Sequence, residues 1–175
     1  MASDITIDSF TGPYAWLSNF YPSPIMAEVY GKIRQFPTGE HYYHALKINA
    51  VPFDRNTQST HDLMEYIESF LSQMEAADTP GKSKRLGRSL NIDTTVWDRK
   101  AFFFMIETSR KKYGQNPELA QRLVDTGQAV LIEGNNHGDK IWGVVNGEGL
   151  NLLGEALMIV REELRQGKVP VYFKP

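Results

Sequence analysis

A chain of 175 residues suits one domain, and a domain of that size buries roughly 70% of the surface its unfolded chain exposes. Cysteine is absent, which excludes a disulfide framework, a cysteine nucleophile and thiolate zinc sites. A formal charge of −2 argues against a broad nucleic-acid-backbone binder, whose affinity rests on many Lys and Arg contacts, but leaves room for a local basic pocket.

The chain opens MASDITIDSF, with two acids and no basic region, so a secretory leader is not expected. No apolar run approaches the ~20 residues of a membrane span. Together with the missing cysteines this gives a cytoplasmic protein as the expectation. Ile5-Thr6-Ile7 and Ala27-Glu28-Val29-Tyr30 read as short strands, with a turn at Gly31-Lys32 before Ile33-Arg34. An aromatic-rich loop, Gly12 to Pro24, lies between them. Pro37-Thr38 opens a helix to about Asn49, with Thr38 as N-cap. Ser59 and Asp62 suggest a capping box for a second helix, whose Leu63, Met64, Ile67, Phe70, Leu71 and Met74 fall at helical spacing. Thr79-Pro80 starts a third, short and basic. Thr95 and Asp98 box a fourth, and Asn116-Pro117 starts a fifth that Gly127 ends. Ala129–Glu133 reads as a strand, Gly134–Asp139 as a polar loop, Ile141–Val145 as another strand. A last helix runs from about Leu152 to Arg165, and the tail Val169–Phe173 as extended chain. With no βαβ alternation this is an α+β fold, a mostly helical single domain over residues 1–175 with a small antiparallel sheet.

Four clusters carry candidate chemistry. In Pro37 to Lys47, a helix would place Glu40, Tyr43, His44 and Lys47 on one face. Glu40 would sit in the first turn, where the helix dipole favours an ionised carboxylate suited to a nucleophile, a base or a stabiliser of positive charge. The plain alternative is that first turns favour acids anyway. His41 and His44 stand at i, i+3, whereas the zinc helix motif has its histidines at i, i+4, so no metal site is expected. In Glu133-Gly134-Asn135-Asn136-His137-Gly138-Asp139-Lys140-Ile141-Trp142-Gly143, three glycines permit close backbone approach, Glu133 and Asp139 supply carboxylates, and Trp142 supplies a ring for a base or sugar. A polar hairpin loop would have the same composition. In Gly81 to Arg88, Arg85 and Arg88 at i, i+3 could clamp a phosphate. Gly87 costs about 1 kcal/mol in a helix relative to Ala, which suggests close packing or ligand approach. In Leu17 to Pro22, Asn19 offers an amide and Phe20 a stacking wall, or the aromatics merely pin the loop. Asn151 is a natural N-cap for the last helix, whose N-terminus could equally hold an anion.

These blocks, with Trp97 and Gly149 to Arg161, resemble the NADAR (YbiA-like) family of N-glycosidases. They stand in the family's order over most of residues 10–165. The resemblance implies hydrolysis of an N-glycosidic bond between ribose and a base. The substrate it implies is an ADP-ribosylated base of the ADP-ribosyl-guanine type, free or in nucleic acid. A second substrate group is the phosphoribosylamino-pyrimidine intermediates of riboflavin synthesis. It implies Glu40 as the essential carboxylate. It implies a site lined by Asn19, Lys47, Arg85, Arg88, Trp97, Glu133, Asp139, Trp142 and Asn151. Residues 51–78 are longer than the family pattern suggests, so they read as a helical insertion: a lid, a partner surface or an inert addition.

The chemistry follows from charge. Rupture of a ribosyl–nitrogen bond builds positive charge on the anomeric carbon, which an ionised Glu40 would stabilise, attack or relieve by activating water. Asp139 is the candidate for the leaving nitrogen or for holding the water. Lys47, Arg85 and Arg88 would hold phosphate, and Trp97 and Trp142 would stack on a base. The scheme calls for no metal or cofactor. A non-catalytic ADP-ribose-binding module is the alternative of another class. Two carboxylates in a pocket for an anion argue against it.

Overall fold

The computed structural model describes residues 5–54, 56 and 59–170. Strand β1 (Thr6–Ile7) is followed by a 3₁₀ helix (Gly12–Leu17), then strands β2 (Pro22–Val29) and β3 (Lys32–Thr38). Helix α1 (Gly39–Ala45) runs into a 3₁₀ turn (Leu46–Ala50). Helices α2 (Thr60–Glu75), α3 (Pro80–Ser89), α4 (Thr94–Gly114) and α5 (Pro117–Asp125) precede strand β4 (Val130–Leu131) and the last helix, α6 (Leu152–Arg165). The chain is mostly helical with two small sheets, the α+β arrangement read from the sequence.

Caps set most boundaries. The hydroxyls of Thr38, Ser59 and Thr79 accept from the backbone N–H of His41, Asp62 and Lys82 and open α1, α2 and α3. The expected box at Thr95 and Asp98 is displaced: α4 begins at Thr94, because the Asp93 carboxylate accepts from Val96 N at 3.1 Å and caps the helix first. The β2–β3 turn is Tyr30-Gly31 rather than Gly31-Lys32. Both residues have positive φ, 51° and 73°, as a two-residue hairpin turn compatible with the strand twist demands.

β2 and β3 pair antiparallel, whereas β1 and β4 pair parallel, Thr6 with Val130 and Ile7 with Leu131. Two residues per strand leave too short an alternation for sequence to specify that pairing. No strand forms over Ile141–Val145. The segment is a loop tied by single bridges, Gly134 to Val144 and Val145 to Glu148. Residues 171–173 of the expected extended tail lie outside the described residues.

Two apolar clusters build the core. One gathers Trp16, Leu17, Tyr113, Leu123, Leu131 and Leu157; the other gathers Ile25, Phe36, Leu71 and Met74. α1 lies between them. It gives Tyr43 to the first and Tyr42 and Ala45 to the second. Every residue of α1 is buried. α2, within the segment read as an insertion, buries Ile67, Phe70, Leu71 and Met74 in the second cluster. Its Glu68 and Glu75 hold the buried Arg34 guanidinium at 2.6 and 2.7 Å. No described residue of 51–78 lines the cavity below. Among the described residues, no helix is long and apolar enough to cross a membrane.

Candidate active site

With both flanks of α1 taken by apolar packing, one edge of the helix faces a cavity of about 390 Å³. Glu40, Tyr43, His44 and Lys47 all line it, as the helical face predicts. Around them stand Asn19 and Phe20, Lys84 and Arg88 of α3, Trp97 of α4, and Glu133, Asp139 and Trp142 of the loop after β4.

Glu40 is buried in the first turn, and its N–H donates to Asn19 O at 3.0 Å. Its Oε1 lies 3.1 Å from His44 Nε2 and 3.9 Å from the Lys84 ammonium. The Asn19 carboxamide is buried against Gly39. Its Nδ2 points at the Met105 sulfur, 3.1 Å away, and its Oδ1 is without a partner. His41 is turned away, with Nδ1 2.8 Å from Thr38 Oγ1 and Nε2 3.1 Å from Ala77 O. Burial holds the His41 ring below its ordinary pKa.

The cationic wall is closely packed. Lys47 Nζ donates to Gly87 O at 3.1 Å and lies 5.4 Å from the centre of the Trp97 ring. Burial, then the neighbouring Arg88, pushes its pKa down. Gly87 faces His44 with no room to spare: a Cβ would meet the ring Nδ1 at 2.3 Å. Close packing, one of the two reasons the sequence offered for this glycine, is therefore present. Gly87→Ala is expected to lower stability by about 1–3 kcal/mol through overpacking and to reduce turnover by displacing His44 from Glu40. Thermal unfolding and initial rates check this.

The same contact fixes which basic residues of α3 turn inward. Lys84 and Arg88, at i, i+4, face the cavity. Arg85 is exposed and lies outside its lining, against expectation. Lys84 belongs to the run that pointed to Arg85, and only the seating of Gly87 on His44 distinguishes them.

The aromatic wall centres on Tyr43, whose ring meets Trp97 and Trp142 edge-on at 5.3 and 5.4 Å. Its pKa is pushed up by burial and then by Glu40, Asp98 and Asp139. Trp97 is buried and stacked on Phe104, so it builds the wall more than it offers a free face. Trp142 is partly buried, and Phe20 is exposed at the rim with the Lys84 ammonium 5.9 Å from its ring centre.

The acidic loop is held by its own amides. Asn135 exchanges hydrogen bonds with the Asp139 backbone: its Nδ2 donates to Asp139 O at 2.8 Å, and its Oδ1 accepts from Asp139 N at 3.1 Å. Asp139 Oδ1 accepts from the backbone N–H of Ile141 and Trp142, at 3.1 and 2.9 Å. Asn151 is not in the cavity lining. It sits at the N-cap position with a left-handed backbone, φ 54°, and caps nothing with its side chain. Its carboxamide instead accepts from Glu133 N at 3.0 Å and donates to Leu131 O at 2.8 Å. It braces the loop that presents Glu133. The sequence offers a cap or an anion site here, and the resemblance a place in the lining; the brace spans 18 and 20 residues and has no local signal.

The model of the NADAR domain matches residues 8–165. The chain belongs to the NADAR domain family. This family member is similar to N-glycosidase R617 of Acanthamoeba polyphaga mimivirus, 41% identical over 98 residues, 49% of this chain and 57% of that one. It is similar to the chloroplastic riboflavin biosynthesis protein PYRR of Zea mays, 32% identical over 160 residues, 87% of this chain and 24% of the relative. The chain thus spans less than two thirds of either protein. N-glycosidase Npun_R5314 of Nostoc punctiforme is 33% identical over 156 residues, 87% of each. The NMR structure of Escherichia coli YbiA superposes with a TM-score of 0.70 at 29% identity, covering 99% of this chain and 92% of YbiA.

Proposed function

We propose that this NADAR protein is a hydrolase that cleaves the N-glycosidic bond between ribose and base in ADP-ribosylated bases of the ADP-ribosyl-guanine type. Membership of a family with N-glycosidases supports the reaction. The observation that carries the assignment of roles is the buried Glu40 carboxylate, held between an aromatic wall and a cationic one.

Glu40 faces the anomeric carbon and stabilises the positive charge that develops there, or takes the proton of the attacking water. Lys47, Lys84 and Arg88 hold the pyrophosphate, and Asn19 hydrogen-bonds the ribose. Trp142 and Phe20 flank the bases. Asp139, with one oxygen committed to the turn before Trp142, orients that ring. Three cations spread along one wall can engage both phosphoryl groups of a pyrophosphate, whereas a ribose monophosphate of similar charge offers only one, which favours the ADP-ribosyl substrate. A nucleic-acid substrate is compatible with the overall acidity of the chain if the modified base is extruded into the cavity.

The second reading keeps the bond and changes the substrate to a phosphoribosylamino-pyrimidine. It is favoured by the similarity to the maize riboflavin biosynthesis protein. Side-by-side turnover of ADP-ribosylated guanosine and the phosphoribosylamino-pyrimidine tests the choice. The expected kcat/KM is at least about tenfold higher on the first, which corresponds to roughly 1.4 kcal/mol of additional binding to the transition state. The reverse order selects the riboflavin-type substrate. Tight binding of ADP-ribose with no turnover of either makes the protein a binding module.

A further inference from the structure

We propose that Glu133, rather than Asp139, delivers the proton to the departing nitrogen. The proposal rests on the N-glycosidase reading above and assigns a second catalytic residue within it.

The backbone of Glu133 is immobilised. Its N–H donates to Asn151 Oδ1 at 3.0 Å, and its carbonyl accepts from Val144 N at 2.9 Å. Gly143 packs so closely on it that a Cβ there would lie 2.3 Å from Glu133 O and 3.2 Å from Cγ. Yet the carboxyl so firmly presented to the cavity keeps a buried oxygen, Oε2, without a hydrogen-bond partner. A merely structural carboxylate would be expected to hold a donor there, since an unpaired buried oxygen is costly. An acid that passes its proton to a substrate needs that position open. Asp139 is the poorer donor because its Oδ1 already accepts two backbone N–H groups.

The surroundings keep the proton on Glu133. Burial first, then the carboxylates of Asp139 on the same loop and Glu40 on α1, push its pKa up to about 7. Lys112 of α4 and Lys84 of α3 oppose this without cancelling it. Two carboxyl groups in one cavity thus divide the labour: one is partnered by His44 and Lys84, the other is desolvated.

The step balances as follows. The C1′–N bond breaks and its electron pair goes to nitrogen. The Glu133 carboxyl gives its proton to that nitrogen and becomes a carboxylate. Water adds its oxygen to C1′ and yields a proton to Glu40. Exchange with solvent returns that proton equivalent to Glu133. The products are free base and the ribose hemiacetal.

Full-length wild type, Glu133→Gln and Glu133→Asp are compared on whichever N-glycoside the wild type turns over, with kcat and KM followed from pH 5 to 9. In the wild type kcat/KM is expected to fall above about pH 7. In Glu133→Gln kcat drops roughly 10²–10⁴-fold, KM changes less than threefold, and the alkaline fall disappears. Thermal unfolding supplies a readout that a structural role would move the other way. A raised carboxyl pKa makes folding less favourable as pH rises from about 4.5 to about 7, because the folded chain then binds more protons. The Gln variant lacks this loss, so its Tm at pH 8 should equal or exceed that of wild type. If the Gln variant proves unfolded, Glu133→Asp decides: a preserved alkaline limb supports the assignment and its absence overturns it. Wild-type kcat in a folded Gln variant, or an alkaline limb that persists in it, overturns the assignment while leaving the N-glycosidase reading intact. Absence of wild-type turnover on every N-glycoside overturns that reading first.

Discussion

Glu40→Gln is expected to lower kcat by roughly 10²–10⁴-fold, the usual contribution of one positioned acid, base or charge-stabilising group. The amide is the same size. Its oxygen can still face His44 Nε2, the partner Glu40 Oε1 now meets at 3.1 Å, while the negative charge is gone. Binding of the intact substrate should therefore persist, with KM little changed, because the loss belongs to the transition state. Tm should shift by less than about 4 °C, the change that roughly 1 kcal/mol produces in a chain of this length. Release of the unmodified base or nucleoside, followed together with substrate binding and melting, checks the result. Turnover close to wild type would remove Glu40 from the chemistry, and with it the assignment of the cavity.

Lys112→Met is expected to produce the largest stability loss of any single change considered. Lys112 is fully buried near the end of α4, and its Nζ donates to the carbonyls of Trp16 at 2.7 Å and Ser18 at 2.8 Å, with Leu17 O at 3.5 Å. These are the last carbonyls of the 3₁₀ helix and that of its C-cap, Ser18, where the helix dipole favours a cation. Methionine keeps the volume and leaves those acceptors without a donor, at about 1–3 kcal/mol for each that stays unsatisfied. The net loss should be about 2–5 kcal/mol once the gain from no longer burying a charge is taken into account. Asn19 and Phe20 follow directly on the clamped carbonyls, so kcat/KM should fall as well. Denaturant unfolding and initial rates check both effects.

The buried ammonium also leaves a pH signature. Burial pushes its pKa down to about 7. Between about 7 and the ordinary lysine value the unfolded chain binds more protons than the folded one, so stability rises with pH across that window. The slope is opposite to that of Glu133, and Lys112→Met should abolish it. Denaturant midpoints at pH 7 and pH 9 measure the difference.

Local chemistry made much of this molecule legible from its sequence. Thr38, Ser59 and Thr79 are caps because a hydroxyl before a helix has one nearby donor to satisfy, and the last helix read over Leu152 to Arg165 coincides with α6. The face of α1 that meets the cavity follows from the pitch of a helix. What sequence could not supply depends on contacts made across the chain. Lys112 stands beside another lysine and reads as a solvated helix end, while its acceptors lie more than ninety residues away. The choice of Lys84 over Arg85 depends on how α3 is rotated, and that rotation is set by the meeting of Gly87 with His44. Asn151 looked like a cap and serves as a brace for the residue that presents the second carboxyl. Glu133 could be placed in the cavity from its loop, but its unpartnered oxygen could not.

The short helix that bears Glu40 is wedged between two apolar clusters and belongs fully to neither. A volume change in either cluster would push on it from one side, with no solvent-facing turn to absorb the movement. Substitutions deep in the second cluster, at Leu71 or Met74 for instance, should therefore slow catalysis at temperatures where the fold itself survives. In such variants, heat would abolish the proposed turnover before it melted the fold.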